Sequence, residues 1–144
     1  MEDKRSLLTG ELDENTLRTG VSQALRRTIF DSSLRISPRR VNRIAAEFVT
    51  AFYRFIENEH KEDAYRHGQT LAQAGMGPSS ILTMLSTVAD VCQTSDNPGR
   101  KLLPLVNRYM HALLLGYMEG REAYIRQEQE RTMRAFKRTQ NQKE

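Results

Sequence analysis

"SPRRVNRIAAEFVTAFYRFIENE", residues 37–59, decides the fold. Ser37 supplies a side-chain oxygen at the point where a helix can begin. Pro38 stands at the first helical position, where a missing N–H costs nothing. Val41, Ile44, Ala45, Phe48, Phe52, Phe55 and Ile56 then recur every three or four residues, the spacing that puts them on one face of an α-helix. Three phenylalanines on that face are a large apolar payload. The stretch predicts a central core helix, with the rings packed in the interior rather than arranged as a cofactor box.

Working outward, the same period recurs and period-two alternation does not. Leu17, Val21, Leu25 and Ile29 step by four and predict a first helix from about Glu14 to Ser32, weakened by Gly20 in its middle. "KEDAYRHGQTLAQAG" predicts a third helix, with Gly75 as its C-terminal cap. "MGPSS" reads as a turn, with Ser79 or Ser80 near the next N-cap. "SILTMLSTVADVCQ" follows as a fourth helix with Ile81, Leu85, Val88 and Cys92 on one face, and "TSDNPGR" as a loop. The expectation is an all-α five-helix bundle.

A fifth helix should begin near Arg100, with Pro104 in its first turn, and run to about Arg138. Its first half is strongly apolar. After Arg121 the apolar residues thin to Tyr124, Ile125, Met133 and Phe136. A helix of that length approaches 60 Å, more than a core of this size covers, so its distal half must project or pair with another copy. This divides the chain into a loose N-terminus (1–13), a helical core (14–120) and a projecting C-terminal helix and tail (121–144). Tyr109, Leu113, Gly116 or Tyr117, Gly120 and Tyr124 step at three and four. They form a heptad-like seam whose small residues permit close approach, and a second copy in a coiled-coil homodimer is the expected occupant.

Composition narrows the function. The chain has 144 residues, 38% hydrophobic and 28% charged, which suits one domain with an ordinary core. No apolar run approaches a membrane span, "MEDKRSLLTG" lacks a signal-peptide core, and one cysteine permits no internal disulfide, so a cytoplasmic location is expected. The net charge of +4 comes from interspersed residues. Only Arg131, Arg134, Lys137, Arg138 and Lys143 form a clearly basic stretch, and without a base-reading motif nucleic acid is not the expected partner.

Chemistry-bearing constellations are absent from the sequence. His60 sits in a polar junction, His111 opposite or beside the apolar stripe of the last helix, and His67 one turn before Leu71. No second ligand stands at metal spacing from any of them, so neither a metal nor a cofactor is expected. Cys92 reads as a small buried hydrophobe. "GMG" at 75–77 is a turn, not a phosphate loop, and no nucleophile–base–acid set exists, so an enzyme is not expected.

"HGQTLAQAGMGPSSILTML", residues 67–85, resembles the helix–turn–helix of globin-coupled sensors: Gly75, Met76 and Pro78 at the turn, then the apolar run Ile81 to Leu85. The position four before Gly75, where such sensors carry the proximal haem ligand, holds Leu71. The pattern therefore looks like the non-haem globin-like sensory domains at the N-termini of RsbR-type stressosome proteins. It is also similar to helical input domains ahead of histidine kinase, GAF or phosphatase modules in bacterial signalling proteins. The resemblance implies a dimeric sensor or scaffold that transmits a signal through its last helix to an output domain or partner protein. It also implies a candidate ligand pocket at Phe48, Phe52, His67, Leu71, Ile81, Leu85 and Leu114, unless large side chains fill that space. The alternative is a stand-alone adaptor whose basic C-terminal helix binds a protein or nucleic acid.

Overall fold

A computed structural model describes residues 14–28, 37–94 and 102–143. The expected loose N-terminus, the far end of the first helix with Ile29, the linker after it and the loop at 95–100 lie outside the described residues. The described chain is all-α: α1 (Glu14–Thr28), α2 (Pro38–Asn58), α3 (Lys61–Gln73), α4 (Pro78–Thr94) and α5 (Leu103–Lys143). The α1 helix packs on α2 and α4, α2 on α3, and α5 on α2, α3 and α4.

The helix ends follow local chemistry. The Arg40 N–H donates to Ser37 Oγ at 3.3 Å, with Pro38 at the first position of α2. The α3 helix closes in a Schellman arrangement: the N–H of Gly75 donates to the Ala72 carbonyl at 2.9 Å and that of Met76 to the Leu71 carbonyl at 3.2 Å. Gly75 has φ 87°, a backbone that a side chain would strain. Two boundaries differ from expectation. Pro38's counterpart in α4 is Pro78, which starts that helix, so Ser79 and Ser80 lie inside it rather than at its cap. Ser80 instead reaches back to α1, donating to Thr28 Oγ1 at 3.0 Å. The α5 helix also continues past Arg138 to Lys143, since no Gly or Pro interrupts it.

The interior is built around Phe48 and Phe52, both fully buried, and Tyr109, whose ring centroid lies 6.0, 5.4 and 5.3 Å from those of Phe48, Phe52 and Phe55. These are edge-on or tilted contacts, the geometry aromatic quadrupoles favour. Leu17, Val21 and Leu25 of α1 and Ile81, Met84, Leu85, Val88 and Cys92 of α4 complete the core.

The closest packing is the α3–α5 crossing. Ala64, Gly68 and Ala72 recur every four residues on α3, and Ala112, Gly116 and Gly120 do so on α5; all six are buried. A Cβ at Gly68 would lie 2.0 Å from the Leu113 carbonyl oxygen, and one at Gly116 would lie 1.9 Å from that of Tyr65. The two backbones are in direct contact, and nothing larger than hydrogen fits at either point. Around the crossing, Tyr65 donates a hydrogen bond to Glu119, and the Tyr117 hydroxyl donates to the Met76 carbonyl at 2.6 Å.

Gly68→Ala or Gly116→Ala forces the two backbones apart and should cost about 3 kcal/mol or more, read as a drop in the urea midpoint. Gly20→Ala is the control. Its Cβ meets only a Thr87 methyl at 3.3 Å, and the helix-propensity gain of about 1 kcal/mol keeps its stability within about 1 kcal/mol of wild type.

Candidate functional site

Two features remain once the core is accounted for: a cleft between α2 and α3, and the outward face of α5. The cleft has a volume of about 490 Å³. Ala46, Ala51, Ala64 and Phe55 form apolar parts of its wall, and Glu47, Arg54, His60, Asp63, Arg66 and His67 bring charge and hydrogen-bonding capacity to it. Small alanines on facing helices leave the space, which is within the range of small-molecule sites. The α2–α3 link at its end is tight: Glu59 takes φ 51° and its N–H donates to the Phe55 carbonyl at 2.7 Å.

The expected pocket residues are distributed differently. Phe48, Phe52, Ile81 and Leu85 are 0 to 1% exposed and Leu71 is 5% exposed, all packed in the core. Leu114 packs against that core from its edge. Of the seven, only His67 lines the cleft. Its ring sits 6.2 Å from Phe48, and its Nδ1 is buried without a hydrogen-bond partner. Tyr109, whose ring also packs on Phe48, likewise has a buried hydroxyl with no partner. Such atoms are uncommon because each forfeits its bonds to water. Nothing in the spacing of the sequence distinguishes the α2–α3 cleft, because alanines at 46, 51 and 64 read as ordinary helix formers.

His60 is exposed and pairs with Asp63 at 3.6 Å, and His111 is exposed. Cys92 is buried, and burial pushes its thiol up to about 11, so it stays protonated and unreactive near neutral pH. Among the described residues no three His, Cys, Asp or Glu side chains come together as a metal site. None of the described helices is long and apolar enough to cross a membrane.

The expected dimer seam needs correction. Tyr109, Leu113, Gly116, Tyr117 and Gly120 are all buried within the chain's own fold, and Tyr124 alone is partly exposed. The small residues do admit a close neighbour, but that neighbour is α3. The outward face carries a different set. Leu115, Met118, Ile125, Met133 and Phe136 are 44 to 65% exposed. At ~100° per residue they fall within an arc of about 80°, roughly opposite the arc that packs on α3. Beyond Arg121, whose Nη1 donates to the Met76 carbonyl at 3.3 Å, only Tyr124 keeps partial burial. The spacing of Leu115, Met118, Ile125 and Phe136 was available in the sequence, but it is broken by Glu122 and Gln129 and is weaker than the buried stripe.

Burial holds the His67 imidazole below its ordinary histidine value, and no hydrogen bond compensates. Glu47 and Asp63 face it with one sign of charge, Arg54 and Arg66 with the other. The folded state therefore disfavours the imidazolium. The resulting stability is present above the unfolded-state histidine value and is lost as pH falls below it. Urea unfolding at pH 7.5 and pH 5 should show lower stability at pH 5, and His67→Phe should reduce that difference. Compared with known proteins, the chain matches no family model, no curated protein and no solved structure.

Proposed function

We propose that this chain is a non-catalytic sensory or scaffolding input domain that pairs with a second copy through its last helix and passes changes in its core along that helix. The observation that carries this reading is α5 itself. One face is locked into the core at Gly116 and Gly120, and the opposite face presents exposed apolar side chains, interrupted by Glu122 and Gln129, from Leu115 on the body to Phe136 far beyond it. A helix built only to complete the bundle has no need of the roughly 33 Å that follow Arg121. The likeness of residues 67–85 to non-haem globin-like input domains supports the same reading, as do the absence of a sequence motif for catalysis and the presence of a lined cleft beside the crossing. An output domain or signalling protein is the proposed recipient.

The basic stretch Arg131, Arg134, Lys137, Arg138 and Lys143, all exposed, supports a second reading, an adaptor whose terminal helix docks an acidic protein or nucleic acid. Sedimentation equilibrium separates the two. Self-association of the wild type at micromolar to hundred-micromolar concentration is expected, with Ile125→Glu and Phe136→Glu each weakening it tenfold or more at unchanged helical content. A wild type that stays monomeric throughout, with salt-dependent binding of oligonucleotides, would replace the first reading by the second.

A further inference from the structure

The charge along the distal half of α5 is divided. Residues 119–130 hold Glu119, Glu122, Glu128 and Glu130 against Arg121 and Arg126, whereas 131–143 hold five cations and no carboxylate. All of these side chains except Arg121 are exposed. Arg126 pairs with Glu122 at 3.6 Å and Arg131 with Glu128 at 3.4 Å within the helix, and beyond Arg131 residues 132–143 hold four cations and no carboxylate.

We infer that the distal half of α5 pairs antiparallel with the same segment of a second copy, an inference that rests on the self-association proposed above and fixes its face and direction. At ~100° per residue Lys143 falls at the edge of the stripe and Lys137 beside it, while Arg131, Arg134 and Arg138 face away, so in a parallel pair Lys137 and Lys143 of one tip lie beside those of the other. Glu122, which falls within the exposed stripe, then meets its own counterpart. Like charges held in register oppose association. Reversing one copy carries Lys143 of each tip away from its counterpart and to within about one turn of Glu122 of the other helix. It also sets Ile125 level with Phe136 of the second copy, and Phe136 with its Ile125, while Met133 flanks both layers. Glu122 then lies near Thr139. The apolar side chains that are isolated along one helix thus become a cluster between two, and the polar stripe positions Glu122, Gln129 and Thr132 meet uncharged or oppositely charged neighbours.

This arrangement changes where a message goes. The two bodies stand at opposite ends of a shared rod, and each basic tip reaches the base of the other helix, beside Glu119 and the Tyr65 that donates to it. Each core is therefore in contact with the tail of the other. A change at one α3–α5 crossing is delivered to the second core as well as along its own chain.

The test uses the full chain in a Cys92→Ala background. Ile125→Cys and Phe136→Cys proteins, one carrying a mass tag, are oxidised with copper phenanthroline separately and mixed. The antiparallel pair predicts a mixed disulfide forming at least tenfold faster than either homodimer. It also predicts that the dissociation constant of the untreated wild type rises several-fold between 50 and 500 mM NaCl, because the opposed charges are screened. Rapid self-cross-linking of Ile125→Cys, or a dimer that tightens with salt, overturns the direction and leaves the self-association standing. A dimer that forms none of these disulfides overturns the choice of face. A wild type that is monomeric at every concentration removes both proposals.

Discussion

The contact between the backbones of α3 and α5 sets everything else in this molecule. Two helices whose side chains interleave normally keep their axes 8–10 Å apart. Here Gly68 and Gly116 present no side chain, and each backbone rests against the carbonyl of the other helix. Ala64, Ala72, Ala112 and Gly120 extend the smooth surface along both helices. Such a fit is intolerant of rotation, since turning either helix by one residue brings a Tyr, His or Leu into the seam. The crossing therefore fixes which face of α5 looks inward, and by subtraction which face looks out.

That constraint also explains why polar groups are pulled into the interior. With α3 drawn tightly against α5, His67 next to Gly68 sits against Phe48, and its Nδ1 loses contact with water. Tyr109, on the α5 face turned toward α2, fills the centre of a ring cluster too apolar to offer its hydroxyl a partner. Tyr117, about two turns nearer the exit, is better placed. It donates to the Met76 carbonyl, which Arg121 also reaches, so the turn after α3 is tied to the last residue of α5 that the body holds.

Much of this was legible in the sequence, for identifiable reasons. Ser37 and Pro38 announce the start of α2, and its seven-residue apolar stripe is buried as the period implies. Gly75 marks the end of α3 because only a glycine takes that positive φ without strain. The overlong last helix was visible from its lack of breakers. The partner of the small-residue seam was not. Gly116 and Gly120 say that some backbone comes close, and a repeat of small residues on one helix is silent about which surface meets it. The answer lay in the second repeat, Ala64, Gly68 and Ala72, which matches the first in spacing and becomes informative only when the two are set against each other. The cleft was illegible for a related reason, since it arises from what alanines leave empty.

Because the inward face cannot slip, α5 has one mechanical freedom left. It can tilt as a body with α3, but it cannot slide or roll along it without the clash that the glycines exclude. The cleft runs between α2 and α3, with His67 in its wall one residue from the crossing. Anything that filled the cleft or charged that imidazole would act on α3 first, and α3 would move α5 with it. The free length beyond Arg121 then works as a lever: a tilt of about 5° at Arg121 displaces Phe136 by ~2 Å. That is enough to misalign a layer of interlocked side chains, which tolerate far less than a methyl group's width of misfit. In the proposed pair, a long helix anchored by its backbone at one end and by side-chain packing at the other would convert a small rotation in the core into the gain or loss of a contact outside it.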